Sequence, residues 1–250
     1  MQNIRYQKIS NKIINNLIII QMKKITLLFL LTILFAATYS LYAQKQFSGE
    51  ITFQIKIEGT DDPNLSANME SMTLTAFILG NKVKVVQSME DMYAMSMIWD
   101  GDKETSLLVM EINGMGKFYK KTTPEETKNK LKLKDFNYNY TNEYKDICGY
   151  KCQKVVATIT NLEDDSSEET IFYVTKEIGL SKINNNEYPG LEGYPLIVST
   201  PLTQYCDECY TAIEAIKITP KKIKDVDFLL PADAQNIEDN PELKQMLGIE

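Results

Sequence analysis

Apolar and polar side chains alternate along the segment from Phe47 to Ile57. The odd positions hold Phe, Gly and Ile, whereas the even positions hold Ser, Glu, Thr, Gln and Lys. A period of two places these two classes on opposite faces of a strand. The segment is therefore predicted to be a β-strand with one buried face and one solvated face.

Similar strand-like segments follow, and short turn sequences separate several of them. Gly80-Asn81, Asp100-Gly101 and Asn113-Gly114 permit the positive φ angles of tight hairpins. The further predicted strands span residues 73–79, 82–87, 94–99, 105–112, 117–120, 138–144, 153–160, 170–175, 194–200 and 210–219. The pattern predicts a mainly β protein: a single antiparallel, strongly curved sheet or incomplete barrel of about eleven strands, with one or two short helices.

One short helix is predicted where the alternation breaks, at residues 124–133. Thr123 is suited to cap this helix, and Pro124 is suited to its first position. A second helix is predicted near the end of the chain, where residues 236–250 form a short, loosely attached helical tail. The predicted β half-barrel domain spans residues 44–235.

The N-terminal part of the chain has the pattern of a signal peptide. Two lysines precede an apolar run of 13 residues, Ile25 to Ala37, which is short for a membrane span. Residues 1–43 are therefore predicted to be the signal region, with translation starting at Met22 in preference to Met1. An uncleaved anchor is the alternative. No cysteine directly follows the apolar run, so the expected product is exported, periplasmic or extracellular, and soluble, with neither a lipid anchor nor a transmembrane anchor.

Removal of residues 1–43 makes the remaining chain strongly acidic. That segment holds five of the 27 basic residues and none of the 34 acidic ones, which leaves 22 basic residues and a formal charge of −12. Such a chain repels a phosphate backbone, so nucleic acid is not an expected partner. The remaining 207 residues suffice for one all-β domain with a substantial core.

The chain contains no histidine. This excludes the commonest general base, the Ser-His and Cys-His nucleophile pairs, and the commonest metal ligand. Acidic residues are so numerous that no two of them stand out as a catalytic pair. The sequence therefore predicts a protein that is not an enzyme and that has no catalytic residue, metal or cofactor.

Four cysteines form two close pairs, Cys148 with Cys152 and Cys206 with Cys209. In an exported protein all four are disulfide candidates. Pairing within each pair closes very short loops and contributes about 2 kcal/mol per bond, whereas pairing across the two pairs closes loops of about 60 residues and contributes about 4 kcal/mol. Local pairing is favoured, and crossed pairing and a four-thiolate zinc site stay open as alternatives.

Eight of the eleven methionines lie between Met69 and Met115. Flexible Met side chains fill irregular cores or line adaptable apolar pockets, and closely spaced thioethers also bind Cu(I). For a pocket, the predicted ligand-binding residues are Met72, Met95, Met97 and Trp99. For copper, the relevant cluster is Met89, Met92, Met95 and Met97.

Five short segments, taken in order, resemble the exported domain of unknown function 4412. These segments are residues 47–53 (FSGEITF), 147–154 (ICGYKCQK), 172–175 (FYVT), 193–196 (GYPL) and 228–231 (FLLP). The resemblance implies an architecture similar to the periplasmic lipoprotein-carrier fold, an unclosed antiparallel barrel covered by helices, with an apolar cavity and lipid-like cargo. The family pattern supplies no catalytic residue, and the second cysteine pair departs from it.

Together these patterns predict a binding or carrier protein of the cell envelope for an apolar or lipid-like ligand. The first alternative is a structural or protein-interaction module whose core is filled by its own side chains, with an envelope protein as its partner. Cu(I) handling by the methionine cluster is a weaker alternative.

Overall fold

The protein is described here by a computed structural model that covers residues 47–60, 72–89, 93–179, 182–203, 206, 208–241 and 244. These residues belong to one compact unit, Gln46–Glu250. The predicted signal region, residues 1–43, lies outside the described residues.

Twelve strands of the described chain form one open, curled sheet, which confirms the prediction of a mainly β protein. The strands are β1 Ser48–Glu58, β2 Thr73–Leu79, β3 Lys82–Met89, β4 Tyr93–Asp100, β5 Thr105–Ile112, β6 Gly116–Thr122, β7 Lys134–Ile147, β8 Tyr150–Asn161, β9 Ser167–Thr175, β10 Tyr194–Pro201, β11 Tyr210–Pro220 and β12 Gln235–Asn236. The predicted count of about eleven is one too low. The additional strand, β12, has only two residues and pairs in parallel with β6, so no alternation in the sequence reveals it.

The sheet is built from two antiparallel meanders that meet at β1. Strands β1 to β6 follow one another in space, as do β7 to β11, and β1 pairs with both β2 and β11. Burial alternates along β1 as its sequence predicts, with Ile51, Phe53 and Ile55 on the buried side. We call this side of the sheet the inner face.

Hairpin turns occur where the sequence predicts them. Leu79 pairs with Lys82 across the Gly80-Asn81 turn, where Gly80 has a φ of +63°. The predicted Asp100-Gly101 pair lies where β4 ends, and the predicted Asn113-Gly114 pair lies in the loop after β5.

The predicted short helix, α1, spans Pro124–Leu131. Its capping box is complete, because the Thr123 hydroxyl accepts the Glu126 N–H and the Glu126 carboxylate accepts the Thr123 N–H. The helix ends two residues earlier than predicted, as β7 begins at Lys134. Among the described residues, no helix is long and apolar enough to cross a membrane.

The main core lies on the inner face and continues into the connection between β9 and β10. Ile178 and Ile183 of this connection pack in the same buried cluster as Ile51 and Trp99. Leu191 packs in a second cluster on β8 and β9. We call residues 182–193 the roof segment, because they cover the inner face.

The outer face is covered by the chain that follows β11. Ile223 and Phe228 pack against Ile98, and Phe228 lies in a 3₁₀ turn, Asp225–Phe228. The chain then reaches the sheet edge, pairs with β6 through β12 and buries Ile237 against Phe118, which lies on the inner face with Met110 and Met95. The predicted tail, residues 236–250, thus begins with a strand residue and a 3₁₀ turn at Ile237–Asp239, and most of it beyond residue 241 lies outside the described residues.

Candidate functional site

A cavity of about 320 Å³ lies between the inner face of the sheet and the roof segment. Six strands that are consecutive in the sheet, from β4 through β1 to β10, contribute its wall. The wall residues are Phe53, Leu74, Val83, Val85, Met97, Trp99, Tyr194, Pro195, Val198 and Ile213, and the roof contributes Ile183, Asn184, Asn186, Glu187 and Tyr188.

Strand register brings the wall residues together. Phe53 is paired with Leu74, Val83 with Trp99, and Ile213 with Val198 across neighbouring strands. Directly opposed residues of antiparallel strands point to the same face of a sheet, so alternation within each strand aims these side chains at one space.

Asn184 holds the roof segment in shape. Its side chain is 7% exposed, and its amide group donates to the carbonyls of Leu191 at 3.3 Å and Gly193 at 2.6 Å. Gly193 has a φ of +97°, and a Cβ there would lie 2.8 Å from the carbonyl oxygen of Thr175, so glycine is required at the end of the roof.

Trp99 connects the wall with the roof. Its indole is 1% exposed, and its N–H donates to the carbonyl of Lys182 at 3.1 Å. A buried indole that finds a partner for its N–H combines a large apolar contact with a directional bond. Trp99 therefore fixes the start of the roof segment over the cavity.

The polar part of the cavity belongs to the roof. Glu187 lines the cavity and is exposed at its edge; desolvation by the surrounding protein raises the pKa of its carboxyl, although Lys130 and Lys134 act in the opposite direction. Burial likewise raises the pKa of the Tyr188 and Tyr194 hydroxyls, so both stay protonated at neutral pH.

Two of the four sequence-predicted ligand residues, Met97 and Trp99, lie on the cavity wall. Met72 and Met95 are not among the lining residues. The Met72 sulfur accepts a hydrogen bond from the Gln87 side chain at 3.5 Å, and Met95 lies between Gln87 and Met110 in the sheet.

The proposed copper cluster is only partly described. Met95 and Met97 share the inner face, as strand alternation predicts, and Met97 is 42% exposed. Met92 and the side chain of Met89 lie outside the described residues. Among the residues described, no group of three or more Cys, Asp or Glu side chains is placed to hold a metal ion.

The cysteines behave as two different pairs. Cys206 and Cys209 form a disulfide with a Cα–Cα distance of 5.3 Å, which confirms local pairing there and contradicts crossed pairing and the four-thiolate zinc site. Cys148 and Cys152 are free thiols, so local pairing is wrong for them. Cys148 occupies the two-residue turn between β7 and β8 with a φ of +51°, whereas Cys152 lies within β8.

Thiol counting should give two free thiols per chain in denatured, unreduced protein and four after reduction. In the native protein only Cys148 should react with a thiol reagent at neutral pH, because Cys152 is fully buried and burial raises its pKa to about 11. Desolvation also raises the pKa of Cys148, so its reaction should be slow. In a Cys148→Ser variant the native signal should disappear; four thiols before reduction would contradict the disulfide.

A comparison with protein-family models found no match to this chain, and a comparison with curated proteins found none either. The resemblance to the exported domain family therefore stays an expectation. The candidate site is defined by three structural features: the geometry of the cavity, its aromatic and aliphatic wall, and its polar roof.

Proposed function

We propose that this protein binds an apolar or lipid-like ligand in the cavity between the inner face and the roof segment. The observation that carries the proposal is a space of about 320 Å³ whose wall side chains come from six adjacent strands and are almost all apolar. Its volume falls at the lower end of the range that small-molecule sites occupy.

An unfilled apolar cavity is unfavourable for the protein. The wall side chains lose van der Waals partners on one side, and any that face solvent keep apolar surface in water. Met97, which is 42% exposed at the wall, is an example of such surface. A ligand chain would remove this surface from water and gain about 0.8 kcal/mol for each buried methylene.

The distribution of polar groups also suits a binding site. Asn186, Glu187 and Tyr188 occur together on the roof, whereas the strands supply the apolar wall. A mostly apolar space with a few convergent polar groups favours an amphiphilic ligand in one orientation. This arrangement supports the binding hypothesis over a module whose core is filled by its own side chains.

Export remains part of the proposal. The disulfide between Cys206 and Cys209 is compatible with an oxidising compartment outside the cytoplasm. We propose that the protein carries or holds its ligand in the cell envelope, after removal of the predicted signal region.

Filling the cavity tests the proposal with a matched pair of variants. Val85 lines the cavity. Val86 is paired with Ser96 and lies on the other face of the same strand. Val85→Phe should weaken binding of the neutral apolar dye Nile red at least about tenfold, because the ring takes the space of two or more methylenes of ligand. Val86→Phe should leave the affinity unchanged.

Two measurements complete this test. Fluorescence titration gives the dye affinities, and mass spectrometry of a lipid extract from protein purified from its native envelope should find one apolar molecule per chain. Equal dye affinity in the two variants, together with an empty extract, would favour the interaction-module alternative.

A further inference from the structure

Glu187 is the one charged side chain among the described residues that line the cavity. Within the described structure, its carboxylate forms no hydrogen bond or ion pair. Lys130 and Lys134 influence its pKa from α1 and the start of β7, but neither forms a salt bridge with it. A carboxylate at the exposed edge of an apolar cavity, without an ion-pair partner among the described residues, favours an added positive charge.

Aromatic side chains border the same cavity. Phe53, Trp99, Tyr188 and Tyr194 all line the cavity that Glu187 borders. The faces of aromatic rings attract cations, most strongly for indole and most strongly where water is excluded. Phe53, Trp99 and Tyr194 are largely buried in the wall, so Tyr188 and the Glu187 carboxylate, which are more exposed, are the groups best placed to contact an ammonium group.

The same residues disfavour an anionic ligand. No lysine or arginine is among the cavity-lining residues that the structure describes. A carboxylate or phosphate head group would meet the negative charge of Glu187 without a basic partner, and like charges at close range repel.

We propose that the ligand is an amphiphile whose cationic ammonium group binds between the Glu187 carboxylate and the aromatic wall of the cavity, with its apolar chain along the strands. This inference rests on the proposed function, because it names the chemical class of the molecule that the cavity holds. The neighbouring roof residues Asn186 and Tyr188 also line the cavity.

Three probes with twelve carbons in the chain separate head-group charge from chain burial: dodecyltrimethylammonium, dodecanoate and dodecanol. The two ions are used below their micelle concentrations, and dodecanol is used below its solubility limit. Titration followed by the fluorescence of the single tryptophan, Trp99, should show the cation binding about tenfold more tightly than dodecanoate. Glu187→Gln should weaken binding of the cation about fivefold and leave that of dodecanol unchanged. Glu177→Gln removes the same charge from the same β9–β10 connection at a position that does not line the cavity, and it should change neither affinity.

A pH series gives a second readout, since the quaternary ammonium does not titrate. The affinity of dodecyltrimethylammonium should fall as the pH is lowered through the pKa of Glu187. Because desolvation raises this pKa, the loss should occur above the ordinary glutamate range. The titratable neighbours of Glu187 are Lys130, Lys134, Tyr188 and Tyr194. In Glu187→Gln this dependence should disappear. The inference alone is overturned if dodecanol binds but the cation binds no more tightly than dodecanoate. It is also overturned if Glu187→Gln leaves the affinity for the cation unchanged. Absence of binding by all three probes overturns the proposed function with it.

Discussion

Trp99→Ala should lower the free energy of unfolding by about 3–5 kcal/mol, the largest effect expected of a single side chain at the cavity. The indole is almost fully buried in the main core, so its removal enlarges the existing space and leaves the surrounding side chains without contacts. The variant also loses the hydrogen bond from the indole N–H to the Lys182 carbonyl, which fixes the start of the roof segment.

Urea denaturation followed by far-ultraviolet circular dichroism measures this effect, because the variant lacks the only tryptophan and gives no indole fluorescence. Trp99→Phe keeps an aromatic ring without the N–H, and we expect it to cost about half as much. Met97→Ala is a control on the same strand and the same wall, where greater exposure limits the expected loss to about 1 kcal/mol. If Trp99→Ala lowers the free energy of unfolding by less than about 1 kcal/mol, Trp99 does not fix the start of the roof segment.

Most of the strands could be predicted from the sequence because they have a period-two pattern and end near turn residues. Thr73–Leu79 and Thr105–Ile112 have the predicted bounds, whereas β7 extends from Lys134 to Ile147, well beyond the predicted residues 138–144. The extension escaped prediction because β7 lies at the edge of the sheet and most of the added residues are polar and exposed, although Ile147 at its end is buried. Local pattern thus identifies half-buried strands better than exposed ones.

The wall of the cavity was only partly predictable. Alternation places Met95 and Met97 on the same face, but it does not indicate which rows of that face the roof leaves uncovered. Met97 is paired with Val85, and both residues line the cavity. Met95 is paired with Gln87, two residues further along the strands, and does not line the cavity. Such a difference depends on sheet order and curl, which pair residues far apart in the chain.

The roof segment could not be predicted from the sequence. Asn184, Asn186 and Glu187 belong to a segment without periodicity, which resembles an ordinary polar loop. Their role follows from tertiary contacts, since the Asn184 amide bonds to carbonyls seven and nine residues further along the chain. The same limit applied to Cys148, because its spacing from Cys152 does not reveal that Cys148 occupies a turn with a positive φ whereas Cys152 lies within β8.

Asn184→Asp should destabilise the protein by about 3 kcal/mol at pH 7, the second large effect that we expect. The substitution keeps the shape of the side chain but replaces a buried donor by a carboxylate that faces the carbonyls of Leu191 and Gly193. Two hydrogen bonds become repulsive contacts, so the roof segment should detach from the cavity and binding of Nile red should weaken as well.

The loss in Asn184→Asp should diminish in acid. Burial beside two carbonyl oxygens raises the folded-state pKa of the introduced carboxyl above its unfolded value of about 3.9, so the folded state binds the proton more tightly. The destabilisation is therefore complete above the folded-state pKa and decreases as the pH falls towards the unfolded value, because the protonated carboxyl again donates to one carbonyl. Asn185→Asp introduces the same charge in the same segment, at a side chain with no such carbonyl partners among the described residues, and corrects for the general effect of pH on an acidic protein. Urea denaturation of both variants at pH 7 and pH 4 should show that the difference between their free energies of unfolding is smaller at pH 4. If this difference is the same at both pH values, the Asn184 amide does not stabilise the roof segment by donating to these carbonyls.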